Sequence, residues 1–363
     1  MLLLFIQNKK RIIYEIQLGV MKNTIYQCEN ANVRLMVVDE CQDSFVEVVE
    51  NAVWGASGVL YKMNDLRKEF EKFEKLKYVH LEVEGELVAV CALNHKVFTH
   101  GNESIDAFYL FVLAVVPAHM NRGYAGLIVS EVTKYLDDSH QKLIVYAYVE
   151  DDNEVSKRVF LKTGYHYLTQ FIAASNVNLF PKSNPHVAKL TAEDKPQLIA
   201  LLKEQCKGNS FVDIDSSFDA NEYYVYKQKD IICAGVQVKV LNWTFISLVG
   251  LEGFLMMKVV PYVPLLKKVF NAKNHSFLKI GNMLISDKQT FVSLINAVMK
   301  MYNIQTSIAY VNPASVYDEN VLKIMKKGLL SSSDTKVLLY YHAKNVDLDY
   351  LQQTTFLSLD DSL

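Results

Sequence analysis

Residues 113–126 read LAVVPAHMNRGYAG: a run of strand formers meets Pro117, and Asn121-Arg122-Gly123 leads into an apolar-periodic segment that begins at Tyr124. The chemistry such a junction offers is anion binding. The first turn of a helix carries amides with no acceptor inside the helix, and the aligned peptide dipoles add partial positive charge there. A Ser, Thr, Asp or Asn at the N-cap usually supplies the acceptor. Just ahead of Tyr124 stand Arg122 and Gly123, and neither can accept. Gly123 lets the backbone come close to a ligand and Arg122 places a cation beside it. The spacing therefore predicts a phosphate group at this cap; a plain turn is the competing reading of a lone glycine loop.

The elements that must position this loop follow from periodicity. Val33 to Val38 alternates as a strand, and Asp39 to Val53 carries Phe45, Val48, Val49 and Ala52 at helical spacing. A helix is predicted over Asp65 to Leu76. Val79 to Val83 and Leu87 to Leu93 form a hairpin turning at Glu84-Gly85. Then come a strand (Ile105 to Val116), a helix (Tyr124 to Leu136), a strand (Leu143 to Val149), a helix (Asn153 to Lys162) and a closing strand (Tyr165 to Ile172).

The second half repeats this order, which argues for duplication. The stretch from Val187 echoes that from Val33, the hairpin pattern returns from Tyr224, and Ala309-Tyr310-Val311 before a further helix echoes Ala147-Tyr148-Val149. The seam is Phe180 to Pro185, with Pro181, Ser183, Asn184 and Pro185 as linker chemistry. At the junction equivalent to Gly123 the repeat reads LISDKQTF, where Ser286 and Gln289 have capping-box spacing. One copy leaves its helix cap open; the other closes it. An apolar insertion from Trp243 to His275 is read as a lid, a dimer surface or buried core.

Composition bounds the function classes. A chain of 363 residues exceeds what one core usually fills. A net charge of -2 gives no push toward nucleic acid or an anionic membrane. Five cysteines without CxxC spacing and nine histidines without a Cys/His cluster favour a cytoplasmic protein with no metal site. The apolar stretch Leu2 to Ile6 is too short to span a bilayer and lacks signal-peptide features, and the first twenty residues are read as an upstream extension.

The loop resembles motif A of the GNAT (Gcn5-related) N-acetyltransferases: Val115-Val116-Pro117 matches its V-x-P, and Met120 to Ala125 fits R/Q-x-x-G-x-G/A except at Met120. Asn153, Ser156, Phe160 and Gly164-Tyr165 match the family's following element. The resemblance implies an α/β (α+β) fold of two tandem GNAT-like domains, each a mixed, mostly antiparallel sheet flanked by helices. Its divisions are an extension (1–32), an acetyl-CoA-binding domain (33–180), a degenerate copy (186–345) and a tail (346–363). It further implies acetyl-CoA or another acyl-CoA as co-substrate. The pyrophosphate would be held by Met120, Asn121, Arg122, Gly123, Tyr124, Ala125 and Gly126. A bulge near Val115 and Val116 would splay the fourth strand so that pantetheine pairs with its edge, and Asn153 would face the pantetheine or leaving sulfur.

Acyl transfer from a thioester needs a neutral amine, a proton acceptor and a donor for the oxyanion. The family's usual tyrosine acid is replaced by Phe160, and the glutamate base of the histone-type members by Tyr109. Tyr109 and Tyr148 are therefore the catalytic candidates, with Asp106 and Tyr146 as further groups near the cleft; alternation puts Tyr146 and Tyr148 on one face. The implied activity is N-acetyl transfer to a small-molecule or peptide amine, without nucleic acid or membrane as partner. A homodimer is compatible with the sequence. The alternative is a non-catalytic acyl-CoA-binding or regulatory protein.

Overall fold

The computed structural model describes residues 3–7, 10–17, 20–29, 32–73, 75–100, 103–214, 218, 221–314, 321, 335–351, 353–355 and 358–359. Three strands, β1 (Leu3–Gln7), β2 (Lys10–Gln17) and β3 (Val20–Cys28), precede the first half. That half runs β4 (Val33–Val38), α1 (Asp43–Asn51), β5 (Leu60–Met63), α2 (Leu66–Phe70), β6 (Leu76–Val83), β7 (Glu86–His100) and β8 (Glu103–Val115). It continues with α3 (Tyr124–Ser139), β9 (Leu143–Glu150), α4 (Glu154–Lys162) and β10 (His166–Val177).

The second half runs β11 (Val187–Lys189), α5 (Lys195–Gln205), β12 (Asn209–Ser210), β13 (Glu222–Gln228), β14 (Ile231–Ser247), α6 (Gly250–Lys258) and α7 (Pro264–Lys267). It closes with β15 (His275–Ile285), α8 (Lys288–Tyr302), β16 (Thr306–Val311), β17 (Lys336–Lys344), α9 (Leu348–Leu351) and β18 (Thr354–Thr355). The helix expected after Val311 falls largely outside the described residues.

One sheet carries both halves in the order β1-β2-β3-β4-β6-β7-β8-β9-β17-β10-β16-β15-β14-β13-β11, with β5 on β14. Its ladders are antiparallel except β8 with β9 and β15 with β16, the two pairs joined through helices α3 and α8. The halves exchange their last strands: β17 lies between β9 and β10, and β10 lies between β17 and β16. The strand expected to close the first half thus pairs only with strands of the second.

Buried side chains cover both faces of the first half, which is why its inner strands read as near-continuous apolar runs. On one face α3 sets Ile128, Val129, Val132 and Leu136 against Leu110, Val145 and Ala147. On the other, Phe45 and Val49 of α1 and Phe70 of α2 meet Tyr78, Tyr109, Phe111 and Tyr146. Each such aliphatic or aromatic side chain contributes about 1.5–3 kcal/mol by leaving water.

Several expectations need correction. The helix predicted over 65–76 is the five-residue α2, because Leu76 already enters β6. Strand β5 was not read at all. The second-copy helix α8 is capped by Asp287, whose carboxylate accepts from Thr290 N at 2.9 Å, while Ser286 Oγ donates to the Cys233 carbonyl. The insertion is divided: Val260, Phe270 and Ala272 are buried, whereas Leu251 is 75% and Tyr262 85% exposed.

Candidate active site

The parallel ladder of β8 with β9 ends at Tyr109 opposite Tyr146, and from there the strands part. The cause is a bulge one turn of the pleat later. Ala92 pairs with Phe111 and Val90 with Ala114, so Val112 and Leu113 together oppose Cys91. Val112 sits at φ 47, a conformation rare for a β-branched residue and costing on the order of 1–3 kcal/mol. The bulge therefore lies at Val112 and Leu113, not at Val115 and Val116: Val115 pairs regularly with Ala89, and Val116 N donates to the Val88 carbonyl at 2.9 Å.

Beyond the bulge the chain passes a short 3-10 turn at Pro117–His119 and reaches α3. Gly123 is the N-cap residue at φ 83, and no side chain caps the helix. Asn121 is likewise left-handed, at φ 62. A Cβ added at Gly123 or Gly126 would meet nothing within 4 Å, so the space beside these two residues is open. Met120, Asn121, Arg122 and Gly123 are exposed, and Tyr124, Ala125 and Gly126 half-buried. The first turn of α3 thus presents backbone amides that no side chain caps.

The gap between the parted strands is a cavity of about 180 Å³. From the first half it is lined by Tyr109, Val112, Tyr148, Glu150, Asn153 and Phe160; Trp54, Tyr61 and Met63 approach from the β5 hairpin. Tyr310, Thr335 and Val337 reach it from the second half. Asn153 Oδ1 accepts from Ser156 N at 3.0 Å and so caps α4 while bordering the cavity. Tyr109 is buried between Phe111 and Tyr146, its ring 4.9 Å and 5.4 Å from theirs. Tyr146 and Tyr148 share the face away from α3: Tyr146 is fully buried, and the Tyr148 ring stands edge-on to Phe171 at 5.7 Å. Asp106 lies outside this group, held by His95 at 2.8 Å.

The structure adds a carboxylate that sequence reading missed. Glu150, at the end of β9, lines the cavity and accepts from the Tyr61 hydroxyl at 3.2 Å. Burial raises its pKa above the ordinary carboxylate range, and the nearby Asp152 charge adds to this against the Tyr61 hydrogen bond. Tyr61 and Tyr310 are both pushed up, first by burial and then by the Glu150 charge, so they remain neutral donors. The available signal was alternation: Glu150 continues the face of Tyr146 and Tyr148. Lys157, on α4 beside the cavity, is engaged by Glu154 at 2.7 Å and Asp151 at 3.3 Å. Among the described residues no cluster of His, Cys, Asp or Glu could hold a metal ion, and no helix is long and apolar enough to cross a membrane.

Residues 46–165 match the family model described as Acetyltransferase (GNAT) family. No curated protein matches the chain in sequence. Among solved structures, Saccharomyces cerevisiae N-myristoyltransferase with bound myristoyl-CoA resembles it with a TM-score of 0.57 at 12% identity, over 94% of this chain and 90% of that one. A further structure of that enzyme with myristoyl-CoA gives 0.54 at 12% identity, over 87% and 81%. A GCN5-related N-acetyltransferase from Anabaena variabilis gives 0.47 at 10% identity, over 85% and 72%. At these identities the likeness is one of fold.

Proposed function

We propose, from the premise that residues 46–165 form a GNAT-family domain, that this chain is an N-acyltransferase using acetyl-CoA. The acceptor amine attacks the thioester directly while both substrates are bound. The observation that carries the reading is the combination of an uncapped α3, open in front of Gly123 and Gly126, with a cavity where β8 and β9 part. A diphosphate would take the amides between Met120 and Gly126, Met120 N being shared with the Pro117 carbonyl at 3.3 Å, with Arg122 beside it. The pantetheine amides would pair with the β8 edge around Val115 and Val116, near Asn153. Proximity in such a cleft supplies much of the acceleration even where Phe160 removes the family's tyrosine acid.

The likeness to a myristoyl-CoA-binding enzyme raises the question of acyl length. A cavity of about 180 Å³ is close to one of ~150 Å³ that accommodates benzene, and the stacked rings of Tyr109 and Phe111 line it. An acetyl group fits that space better than a long chain. Tyr109 and Tyr148 remain candidates for contact with the reacting groups.

In this reading residues 33–180 bind the cofactor, and the second copy, 186–345, shapes the acceptor side through Tyr310, Thr335 and Val337. A small-molecule or peptide amine is the acceptor class, and a cytoplasmic location agrees with five free cysteines. Calorimetric titration of acetyl-CoA and of free CoA tests the reading. Micromolar binding that is lost in Gly123→Glu supports it; no binding to the wild-type protein overturns it.

A further inference from the structure

The repeat places two equivalent clefts in the sheet, and they differ in polarity. In the second, β15 bulges as β8 does: Gly235 pairs with Leu284 and Gln237 with Gly281, and Asn282 sits at φ 43 where Val112 sits at φ 47. Counting back from these left-handed residues aligns Lys279 with Tyr109. The parallel registers, Tyr109 with Tyr146 and Lys279 with Ile308, then align Tyr148 with Tyr310 and Glu150 with Asn312.

The second cleft is filled by the chain itself. Lys279 Nζ donates to the Leu359 carbonyl, and Asn312 Nδ2 donates to the Thr355 carbonyl at 3.2 Å. Thr354 and Thr355 pair with Asn209 and Ser210 of β12, and a Cβ on Gly281 would stand 3.0 Å from that of Leu359. Two donors at these positions hold a guest that presents carbonyl oxygens. In the first cleft the same two positions carry Tyr109 and Glu150, and a carboxylate accepts only.

The cleft that keeps an acceptor where its twin keeps a donor is suited to a guest that brings N–H groups. We propose that Glu150 receives the amino group of the acceptor and takes its proton during acyl transfer, an inference that rests on the acyltransferase reading. As the nitrogen–carbon bond forms, the carbon–sulfur bond breaks and its electron pair leaves on the CoA sulfur. The amine proton passes to a Glu150 oxygen; solvent protonates the thiolate and recovers the proton from Glu150. The groups facing Glu150 are Tyr61 from β5, Tyr310 from β16 and Asp152 from the following turn. Among the described residues no Lys, Arg or His is ion-paired with it. Its raised pKa places the base nearer to working pH than a solvated carboxylate, which favours proton transfer.

The test is Glu150→Gln, which keeps an acceptor for Tyr61. Acetyl-CoA binding is measured by calorimetry, and thiol release is followed with a panel of primary amines (spermidine, lysine, N-terminal and lysyl peptides) across the neutral pH range. The expected result is an acetyl-CoA affinity within about twofold of wild type, with kcat lowered ~100-fold or more and the acidic limb of the pH profile changed to that of amine deprotonation alone. An unchanged kcat and pH profile would overturn the assignment of Glu150, as would wild-type protein that binds acetyl-CoA and turns over none of the amines. Failure of the wild type to bind acetyl-CoA at all would instead sink the acyltransferase reading.

Discussion

Replacing Gly126 by Glu should make the protein more stable and abolish its binding of CoA. Gly126 is the third residue of α3 and a side chain built on it enters open space. Removing a glycine from a helix is worth about 0.5–1 kcal/mol, and a carboxylate in the first turn adds about 0.3–1 kcal/mol through the helix dipole. The sum corresponds to a Tm rise of about 1–3 °C for a chain of 363 residues. The same carboxylate would stand where the diphosphate binds. One unit charge about 5 Å from another at an effective dielectric constant near 20 costs roughly 3 kcal/mol, a loss of more than ~100-fold in affinity. Differential scanning calorimetry and titration calorimetry read the two effects, and added salt should recover part of the binding. A raised Tm with unchanged affinity would refute the placement of phosphate at α3. A lowered Tm would refute the open geometry in front of the helix.

Three further outcomes follow. Across acetyl-, butyryl- and myristoyl-CoA, affinity should not grow with chain length; a gain of ~0.8 kcal/mol per methylene, measured by calorimetry, would contradict an acyl site confined to the cavity lined by Tyr109 and Phe111. Lys239→Met should destabilise by ~3 kcal/mol in urea melts at neutral pH, because Lys239, 1% exposed, holds the buried Glu69 carboxylate at 2.9 Å across the two halves. Burial opposes that charge, and Lys239 together with Lys72, 2.6 Å from the other carboxylate oxygen, outweighs it, so acidification, which protonates Glu69, should shrink the deficit. Glu222 accepts from Lys189 at 2.6 Å, Tyr302 at 2.5 Å and Tyr224 at 2.8 Å, and these bonds, Lys189 first, lower its pKa to about 2. A depressed pKa stabilises fully above the unfolded value of 4.5 and is lost as pH falls toward about 2; being largely solvated, the effect should stay below ~1 kcal/mol and vanish in Glu222→Gln acid melts.

The uncapped start of α3 was legible in the sequence because it depends on what is missing: no cap side chain precedes Tyr124, and Gly123 is present. Apart from β5 and the length of α2, the strands and helices from Val33 to Lys162 followed from their apolar periods. The bulge was misplaced by three residues because nothing local marks Val112; valine disfavours φ 47, and the surrounding ladder imposes it. In the repeat a capping box at Ser286 and Gln289 was the simplest pattern, yet Asp287 between them has the geometry to reach Thr290 N. Glu150 could be put on the face of Tyr148 by alternation, but only the fold brings Tyr61 and Tyr310 to it. Strand exchange was beyond local reading, because hydrophobic pattern sets which residues face inward and leaves the choice of neighbouring strand to long-range contacts.

The exchange of β10 and β17 ties the order of synthesis to the order of assembly. β9 leaves the ribosome about 190 residues before β17, so at 5–20 residues per second its outer edge waits on the order of 10–40 s for its neighbour. During that interval the nascent chain presents an apolar strand with unsatisfied amides, a template for pairing with another chain. Release by proteolysis at 180–185 would likewise leave two fragments still laced through one sheet, since β10 remains between β17 and β16. The two halves of the chain thus share one sheet through interleaved strands.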